Sequence, residues 1–235
     1  MLAKVKDLDF YMGRTQILRS VSLSVDEGEI VCLLGRNGAG KSSTMKNIIG
    51  LYSPKSGKIF LKDRDITKLS PRERVLLGLA YSPEDMRLFS ELTVEQNINL
   101  SVWITNGTER QRGLKMDTIF DVFPEIRSLL KRKGIYLSGG EKKMVSITRA
   151  LALNPVLLLL DESFEGLAPG VVSRFSDALK RIKSLGITIL LAESNVRTPS
   201  QAAERFYVVE RGEIVFEGKS EQIFADEQLL KLVGK

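Results

Sequence analysis

Histidine is missing from this 235-residue chain, and cysteine occurs only once, as Cys32. The lack of imidazole removes the commonest general base and a frequent metal ligand, so any catalysis has to depend on carboxylates. A single cysteine excludes an internal disulfide framework and favours a reducing compartment, with Cys32 as inert core. The longest apolar runs, such as 187–192, are far shorter than a membrane span, and the first residues carry no signal-like apolar region. We therefore expect a soluble protein.

The chain has more basic than acidic residues: 35 lysines and arginines against 29 acids give a net charge of +6. Such a surplus is compatible with nucleic acid, an anionic membrane surface or a phosphate ligand. The basic residues are interleaved with acids, and the one tight cluster, 131–133, is more typical of a solvated surface than of a nucleic-acid patch. With 43% hydrophobic residues, the chain can bury one domain with a satellite, or two small domains.

Residues 35–42, Gly-Arg-Asn-Gly-Ala-Gly-Lys-Ser, fit the phosphate-loop pattern G-x-x-x-x-G-K-[ST]. The apolar run 30–34 before it predicts a buried strand, and 43–49 can continue as a helix up to Gly50. The N–H groups of the loop and of the helix start would then converge on one anion. We predict that Lys41 reaches the terminal phosphates of a nucleotide and that the Ser42 hydroxyl ligates Mg²⁺. The predicted nucleotide contacts from this stretch are Arg36, Asn37, Gly38, Ala39, Gly40, Lys41, Ser42 and Ser43.

The rest of the chain shows two kinds of strand pattern. The segments 4–10 and 21–25 alternate apolar and polar residues, which predicts half-exposed strands. The runs 156–160 and 187–192 are apolar throughout, which is typical of parallel strands covered by helices on both faces, and 170–185 between them predicts a helix. We therefore predict an α/β fold: a P-loop NTPase core with a parallel sheet, an antiparallel β subdomain and a helical insertion.

The insertion covers about residues 85–133, which carry almost no strand signal. Within it we predict helices that start near Thr93 and Phe123, with a break in the chain at 106–108. Near the C-terminus, 205–216 predicts a β-hairpin. All 235 residues are expected to form a single domain.

A pair of acids, Asp161-Glu162, follows the apolar run 156–160 directly. In α/β proteins the carboxyl ends of the strands are where ligands bind, so the pair is predicted to lie near the phosphate loop. Asp161 would hold Mg²⁺, directly or through water, and Glu162 could take a proton from an attacking water. A surface acidic turn after a core strand is the alternative.

The stretch Leu137-Ser138-Gly139-Gly140-Glu141 resembles the signature motif of ATP-binding-cassette (ABC) ATPases. Together with the phosphate loop and the Asp-Glu strand, it makes the chain similar to this family from about residue 3 to about residue 225. The resemblance implies ATP and Mg²⁺ as cofactors and a head-to-tail dimer with a second ABC ATPase subunit. In such a dimer the signature of one subunit meets the ATP of the other, so the resemblance predicts contacts from Ser138, Gly139, Gly140 and Glu141.

Other positions follow from the same resemblance, and several depart from the family pattern. Tyr11 occupies the place of the aromatic residue that stacks on adenine, with Met12 as the alternative. Glu84 stands where most members have a glutamine that touches Mg²⁺ and the attacking water, so it is a predicted metal ligand. Ser194 replaces the histidine that contacts the γ-phosphate, and it joins Glu162 as a predicted catalytic residue. The loop 166–169 has proline where an aspartate is usual, which puts the aspartate's cross-interface contact in doubt.

The segments 83–84, 87–89, 92–94 and 166–169 are similar to one of the two ATPases of branched-chain amino acid importers. The resemblance therefore implies an ATP-hydrolysing subunit that powers a membrane importer, for which branched-chain amino acids are the expected solutes. Its expected partners are a second ATPase, identical or different, and transmembrane permease subunits that contact the insertion. Its expected location is the cytoplasmic face of the inner membrane, as a peripheral subunit.

Two other functions remain as alternatives. A P-loop kinase or GTPase is disfavoured, because it would leave 137–141 without a role and no guanine-selective motif is visible. An ABC-type ATPase that acts on nucleic acid would suit the positive charge, but such proteins usually carry long insertions or tandem cassettes. Nucleic acid is accordingly not an expected partner.

Overall fold

The structure, a computed structural model, describes residues 1–105 and 115–233, without the side chains of residues 104, 105 and 169. The strands in this part of the chain are β1 (Ala3–Met12), β2 (Thr15–Val25), β3 (Ile30–Leu34), β4 (Ser56–Leu61), β5 (Arg64–Asp65), β6 (Leu79–Ser82), β7 (Leu157–Asp161), β8 (Thr188–Glu193), β9 (Arg205–Glu210) and β10 (Glu213–Gly218). The helices are α1 (Lys41–Ile49), α2 (Pro71–Leu77), α3 (Val94–Thr105), α4 (Met116–Val122), α5 (Ile126–Leu129), α6 (Gly139–Leu151), α7 (Pro169–Ser184), α8 (Ser220–Ala225) and α9 (Glu227–Leu232).

The central sheet has the strand order β10-β9-β3-β8-β7-β6. Its neighbouring strands are parallel from β9 to β6, and β10 adds an antiparallel edge. The strands β3, β7 and β8 are buried at every residue. This agrees with their continuous apolar sequences, because a parallel sheet is covered on both faces.

Side chains that alternate along the central strands enter two different cores. On one face, Cys32, Leu158 and Ile189 pack in a core with α6 and α7. On the other face, Val31 and Leu159 pack in a core with α1 and with the N-terminal strands. Successive side chains of a strand point to opposite faces of the sheet, and this alternation produces the division. As a result, α1 and the phosphate loop lie between the central sheet and the N-terminal strands.

The second sheet is antiparallel, with the strand order β2-β1-β4-β5. Irregular register between β1 and β2 occurs after Val5, Leu8 and Phe10. Buried and exposed residues alternate along parts of these strands, because one face is packed and the other is open, and the register shifts interrupt the alternation. The predicted combination of a parallel core and an antiparallel β region is confirmed.

The hairpin of β9 and β10 turns through Arg211 and Gly212, both with positive φ, at 48° and 85°. Such a two-residue turn matches the twist of the strands that it joins. The Gly212 N–H donates to the Ala39 carbonyl at 2.8 Å, and its own carbonyl accepts from the Arg19 N–H at 2.8 Å. A Cβ at this glycine would collide with the carbonyl oxygen of Ile17. The turn therefore joins the phosphate loop to β2.

Helices α3, α4 and α5 lie within the region predicted as a helical insertion, and their apolar residues join the core that contains α6. The predicted break at 106–108 lies outside the described residues. The helix predicted to start at Phe123 begins later, at Ile126. Phe123 has φ −131° and ψ 84°, because a residue that precedes proline is disfavoured in helical conformation. No helix in the described ranges is long and apolar enough to cross a membrane.

Candidate nucleotide site

The loop between β3 and α1 turns back sharply so that α1 can begin at Lys41. Gly40 has φ 115°, a conformation that only glycine adopts readily. A Cβ at this position would also come within 2.8 Å of Leu18. Gly38 likewise has a positive φ, of 83°. The loop therefore brings its backbone close to whatever binds at the start of α1.

Lys41 and Glu162 meet at this loop as a buried ion pair. The Lys41 Nζ lies 2.9 Å from Glu162 Oε1, and the side chains are 4% and 5% exposed. The same Nζ donates to the carbonyls of Gly35 at 2.7 Å and Arg36 at 3.3 Å. Within the described ranges, Glu162 Oε2 has no hydrogen-bond partner although it is buried. The fold thus joins the predicted phosphate ligand to the predicted base and leaves one carboxylate oxygen available.

Asp161 lies beside this pair at the end of β7. The Ser42 hydroxyl donates to Asp161 Oδ1 at 3.0 Å, although the two residues are 119 positions apart in sequence. The Tyr81 hydroxyl donates to Asp161 Oδ2 at 2.8 Å. Burial, together with the charge of Asp161, raises the pKa of Tyr81, so the phenol remains a donor. Tyr81 was not predicted from the sequence, since its contact with Asp161 depends on the pairing of β6 with β7.

The oxygen donors around Asp161 fit the chemistry of Mg²⁺, which prefers carboxylate and hydroxyl ligands. Asp161 and Ser42 could hold the ion directly. Glu84 lines a cleft with Asp161 and a second cleft with Lys41 and Glu162. Partial burial, followed by the nearby charge of Asp161, raises the pKa of Glu84.

The cleft at the phosphate loop has a volume of about 390 Å³. Most of the predicted phosphate contacts line it, together with one apolar residue that was not predicted from the sequence, Ile17. The described residues that line it are Ile17, Asn37, Gly38, Gly40, Lys41, Ser42, Ser43, Glu84 and Glu162. Arg36 and Ala39 instead line other clefts, which share Asn37 with this one.

The predicted signature residues begin α6, away from this cleft. Ser138 is the N-cap: its hydroxyl accepts from the Glu141 N–H at 3.3 Å, and Glu141 Oε2 accepts from the Ser138 N–H at 2.7 Å. This capping box lowers the pKa of Glu141. Ser138 and Gly139 are exposed, and a Cβ at Gly139 would meet nothing within 4 Å. The start of the helix therefore faces outward.

Comparison with known proteins identifies the family. The model of the family described as "ABC transporter" matches residues 18–165, which is more than half of the chain. The chain belongs to this family. It is an ATP-hydrolysing ABC ATPase, and the family predicted from the signature motif is confirmed.

Several relatives of this ABC ATPase cover most of its length. The branched-chain amino acid transport protein BraG of Pseudomonas aeruginosa is 36% identical, over 87% of this chain and 87% of its own. The probable branched-chain amino acid transport protein LivF of Archaeoglobus fulgidus is 34% identical, over 99% and 98%. The lipopolysaccharide export protein LptB of Haemophilus influenzae is 37% identical, over 92% and 90%. The relatives thus include proteins named for different cargoes.

Solved structures confirm the predicted ABC ATPase architecture. The ADP conformation of an ATP-binding cassette superimposes with a TM-score of 0.85 at 27% identity, over 98% of this chain and 97% of that one. The ATP-binding subunit of another ABC transporter gives a TM-score of 0.81 at 30% identity, over 100% and 95%.

Two residues assigned by resemblance do not line this cleft of the ABC ATPase. The ring of Tyr11 has Lys55 Nζ 4.6 Å from its centroid, while Ile17 on the next strand lines the cleft. Met12, the alternative, is 53% exposed. Ser194 is half-buried and lines a separate cleft with Asn37. Both assignments stay predictions.

A further acid, Glu193, ends β8 next to the cluster of the ABC ATPase. It is 3% exposed, and its Oε1 accepts from the Phe164 N–H at 3.2 Å. Burial and the charge of Glu162 raise its pKa to about 8, although Lys143 and the backbone N–H groups act in the opposite direction. The sequence pattern could have pointed to Glu193, because this acid ends an otherwise apolar strand, as Asp161 does.

Proposed function

We propose that this ABC ATPase hydrolyses MgATP at the cleft that contains Lys41 and Glu162, and that it thereby powers a membrane importer. The observation that carries the proposal is the convergence of five side chains from the ends of β6 and β7 and from the phosphate loop. Three contacts of at most 3.0 Å join them: Lys41 with Glu162, Ser42 with Asp161, and Tyr81 with Asp161. Structural acids seldom converge in this way on a loop built for phosphate.

Each of these residues has a distinct role in the proposed reaction. The amides of the phosphate loop and Lys41 bind the β- and γ-phosphates, for which Lys41 supplies a mobile cation. Ser42 and Asp161 hold Mg²⁺, with Glu84 as a further ligand. When bound, Mg²⁺ neutralises charge on the phosphate oxygens. Glu162 accepts the proton of the attacking water, and its oxygen that lacks a partner is the acceptor.

The proposal includes a head-to-tail dimer with a second ABC ATPase subunit, identical or different. In it, Ser138, Gly139, Gly140 and Glu141 face the ATP of the opposite subunit. The outward start of α6 supports this role, because exposed amides at a helix N-terminus bind anions. Tyr11 would stack on adenine, and Ser194 would donate one hydrogen bond to the γ-phosphate.

The proposal of an importer and of its cargo rests on the relatives and on the segments 83–84, 87–89, 92–94 and 166–169. BraG and LivF carry branched-chain amino acid transport in their names, and this supports leucine, isoleucine and valine as solutes. Transmembrane permease subunits would contact the helical region at 85–133, on the cytoplasmic face of the inner membrane. The whole chain would act as one domain, and nucleic acid is not a proposed partner.

Lipopolysaccharide export is a second candidate, because LptB is as similar to this chain as BraG is. One experiment separates the two. The chromosomal gene is replaced by a Lys41→Ala copy, with the exposed Lys68→Ala as matched control. Uptake of labelled leucine, isoleucine and valine should fall at least about tenfold only in Lys41→Ala, because the phosphate cradle loses its mobile cation.

Three outcomes would count against the importer proposal. Unchanged uptake of all three amino acids in Lys41→Ala would refute it, and loss of surface lipopolysaccharide in the same cells would favour export instead. Salt-sensitive binding of the purified protein to nucleic acid would favour the nucleic-acid alternative.

A further inference from the structure

Helix α6 carries polar side chains at intervals of three residues: Lys143, Ser146 and Arg149. Residues three apart are neighbours on a helix surface, so these three side chains form a band across successive turns. They contact the backbones of two loops, one after β7 and one after β6. These loops carry the proposed base Glu162 and the proposed metal ligand Glu84.

Lys143 holds the loop after β7. Its Nζ donates to the carbonyls of Glu162 at 2.7 Å and of Glu165 at 2.5 Å. The ammonium group is partly buried, which lowers its pKa, while the carboxylates of Glu193, Glu165, Glu162 and Glu84 all act to raise it. Charge-assisted hydrogen bonds in such surroundings are stronger than neutral ones.

The loop after β7 has a conformation that needs outside support. Glu162 has φ 47°, in the left-handed region that non-glycine residues seldom adopt. Such residues persist where the surrounding structure holds them in place. Here Lys143 holds the carbonyls on one side, and Glu193 accepts the Phe164 N–H on the other.

The loop after β6 is held by the next turns of the same helix. Arg149 donates to the carbonyls of Met86 at 3.0 Å and Arg87 at 2.8 Å. The Ser146 hydroxyl lies 2.8 Å from that of Ser82 at the end of β6 and donates to Met86 at 3.3 Å. Both catalytic loops are therefore attached to one rigid helix.

That helix begins at Ser138. Lys143 follows five residues later, which corresponds to about 7.5 Å along the axis. We propose that Lys143 is a positioning residue that links the signature end of α6 to the loop of Glu162, so that binding of the partner's nucleotide at Ser138 sets the position of the base. The inference rests on the proposed function, in which Ser138 faces the nucleotide of the second subunit.

The test compares Lys143→Met with Lys142→Met in the full chain. The two variants lose the same charge from neighbouring positions whose side chains leave the helix about 100° apart. For Lys143→Met, kcat should fall about 10- to 100-fold because the base is misplaced, while KM for ATP stays within about twofold. Lys142→Met should behave as the parent, and Lys143→Arg, which restores charged donors, should recover most of kcat.

Hydrogen exchange provides a readout that does not depend on turnover. Without nucleotide, the amides of residues 163–167 should exchange faster in Lys143→Met than in Lys142→Met, because the hydrogen bonds from Lys143 to the loop carbonyls are missing. If Lys143→Met does not fold, Lys143→Gln decides by the same two readouts. Parent-like kcat in that variant would overturn the inference.

Three results would overturn the inference for a folded Lys143→Met. They are the same turnover as Lys142→Met, unchanged exchange at 163–167, and a loss of kcat that Lys143→Arg does not restore. Glu162→Gln is assayed alongside. If that variant turns over normally, the proposed base is wrong; if it is inactive while Lys143→Met matches its control, only the coupling through Lys143 fails.

Discussion

The cleft at Lys41 and the signature end of α6 are both proposed phosphate sites, yet their polar groups differ in burial and in pairing. In the cleft, Lys41 and Glu162 are almost fully buried and paired at 2.9 Å. At the signature, Ser138 and Gly139 are exposed, and the cap involves only neighbours within the same turn. A buried charge needs a partner close by, whereas an exposed helix start does not. The difference supports the proposal that the cleft is assembled within one subunit and that the signature is presented to another.

The largest effect is expected from a substitution in the buried cleft. Glu162→Gln is expected to lower ATP turnover about 10²- to 10⁴-fold, because the amide does not accept the proton of the attacking water. The variant should accumulate as an ATP-bound dimer. Steady-state turnover and sedimentation with ATP measure both effects. Glu165→Gln, an exposed acid on the same loop, is the control and should be near parent.

Glu193 tests how strongly burial affects the protonation of an acid near the cleft. Its pKa is raised from 4.5 to about 8, so the folded protein keeps the proton in a range where the unfolded chain has released it. Stability of the parent should therefore fall as the pH rises from about 5 to about 8, by roughly 2–4 kcal/mol. Glu193→Gln should remove this slope and be more stable than the parent at about pH 9. Urea unfolding across a pH series measures it, and parallel curves for the two proteins would contradict the burial account.

The exposed signature end of α6 is tested by Ser138→Arg. The variant should bind ATP as a monomer with parent affinity, because Ser138 is outside the cleft of its own subunit. Dimer formation with ATP should weaken at least about tenfold, since a bulky side chain would occupy the place of the partner's phosphate. Sedimentation with ATP decides, with Ser53→Arg as a control on an exposed loop. Equal dimer fractions for Ser138→Arg and its control would refute the head-to-tail arrangement.

The smallest effect is expected at Ser194, which belongs to neither region. A neutral hydrogen bond contributes on the order of 1 kcal/mol, so Ser194→Ala should slow turnover tenfold or less. Turnover is measured for the assembled transporter and for the isolated subunit. A greater loss than that of Glu162→Gln would mean that the base is assigned wrongly.

Much of the fold was predictable because its signals are local. The phosphate loop, the apolar strands β3, β7 and β8, and the acids after β7 are visible as contiguous patterns. The effect of Pro124 is also local, but it was not predicted: one helix ends at Val122, before the proline, and the next begins only at Ile126.

The contacts that complete the site were not predictable, because they depend on which strands are neighbours. Tyr81 reaches Asp161 only since β6 lies beside β7, and Glu193 reaches the loop of Glu162 only since β8 lies on the other side. Lys143 is one of many lysines in the sequence, and its role depends on how α6 packs under both loops. Strand order is a non-local property, so single-sequence patterns leave it open.

The turn at Arg211-Gly212 has a consequence for engineering. Two-residue hairpin turns are usually convenient places for epitope tags or inserted reporters, because they lie at the surface and touch little else. In this protein the backbone of Gly212 is hydrogen-bonded to Ala39 and Arg19, and the glycine lies against Ile17. An insertion there would pull on the phosphate loop itself, so a fluorophore attached at this hairpin would report on the nucleotide site while also disturbing it.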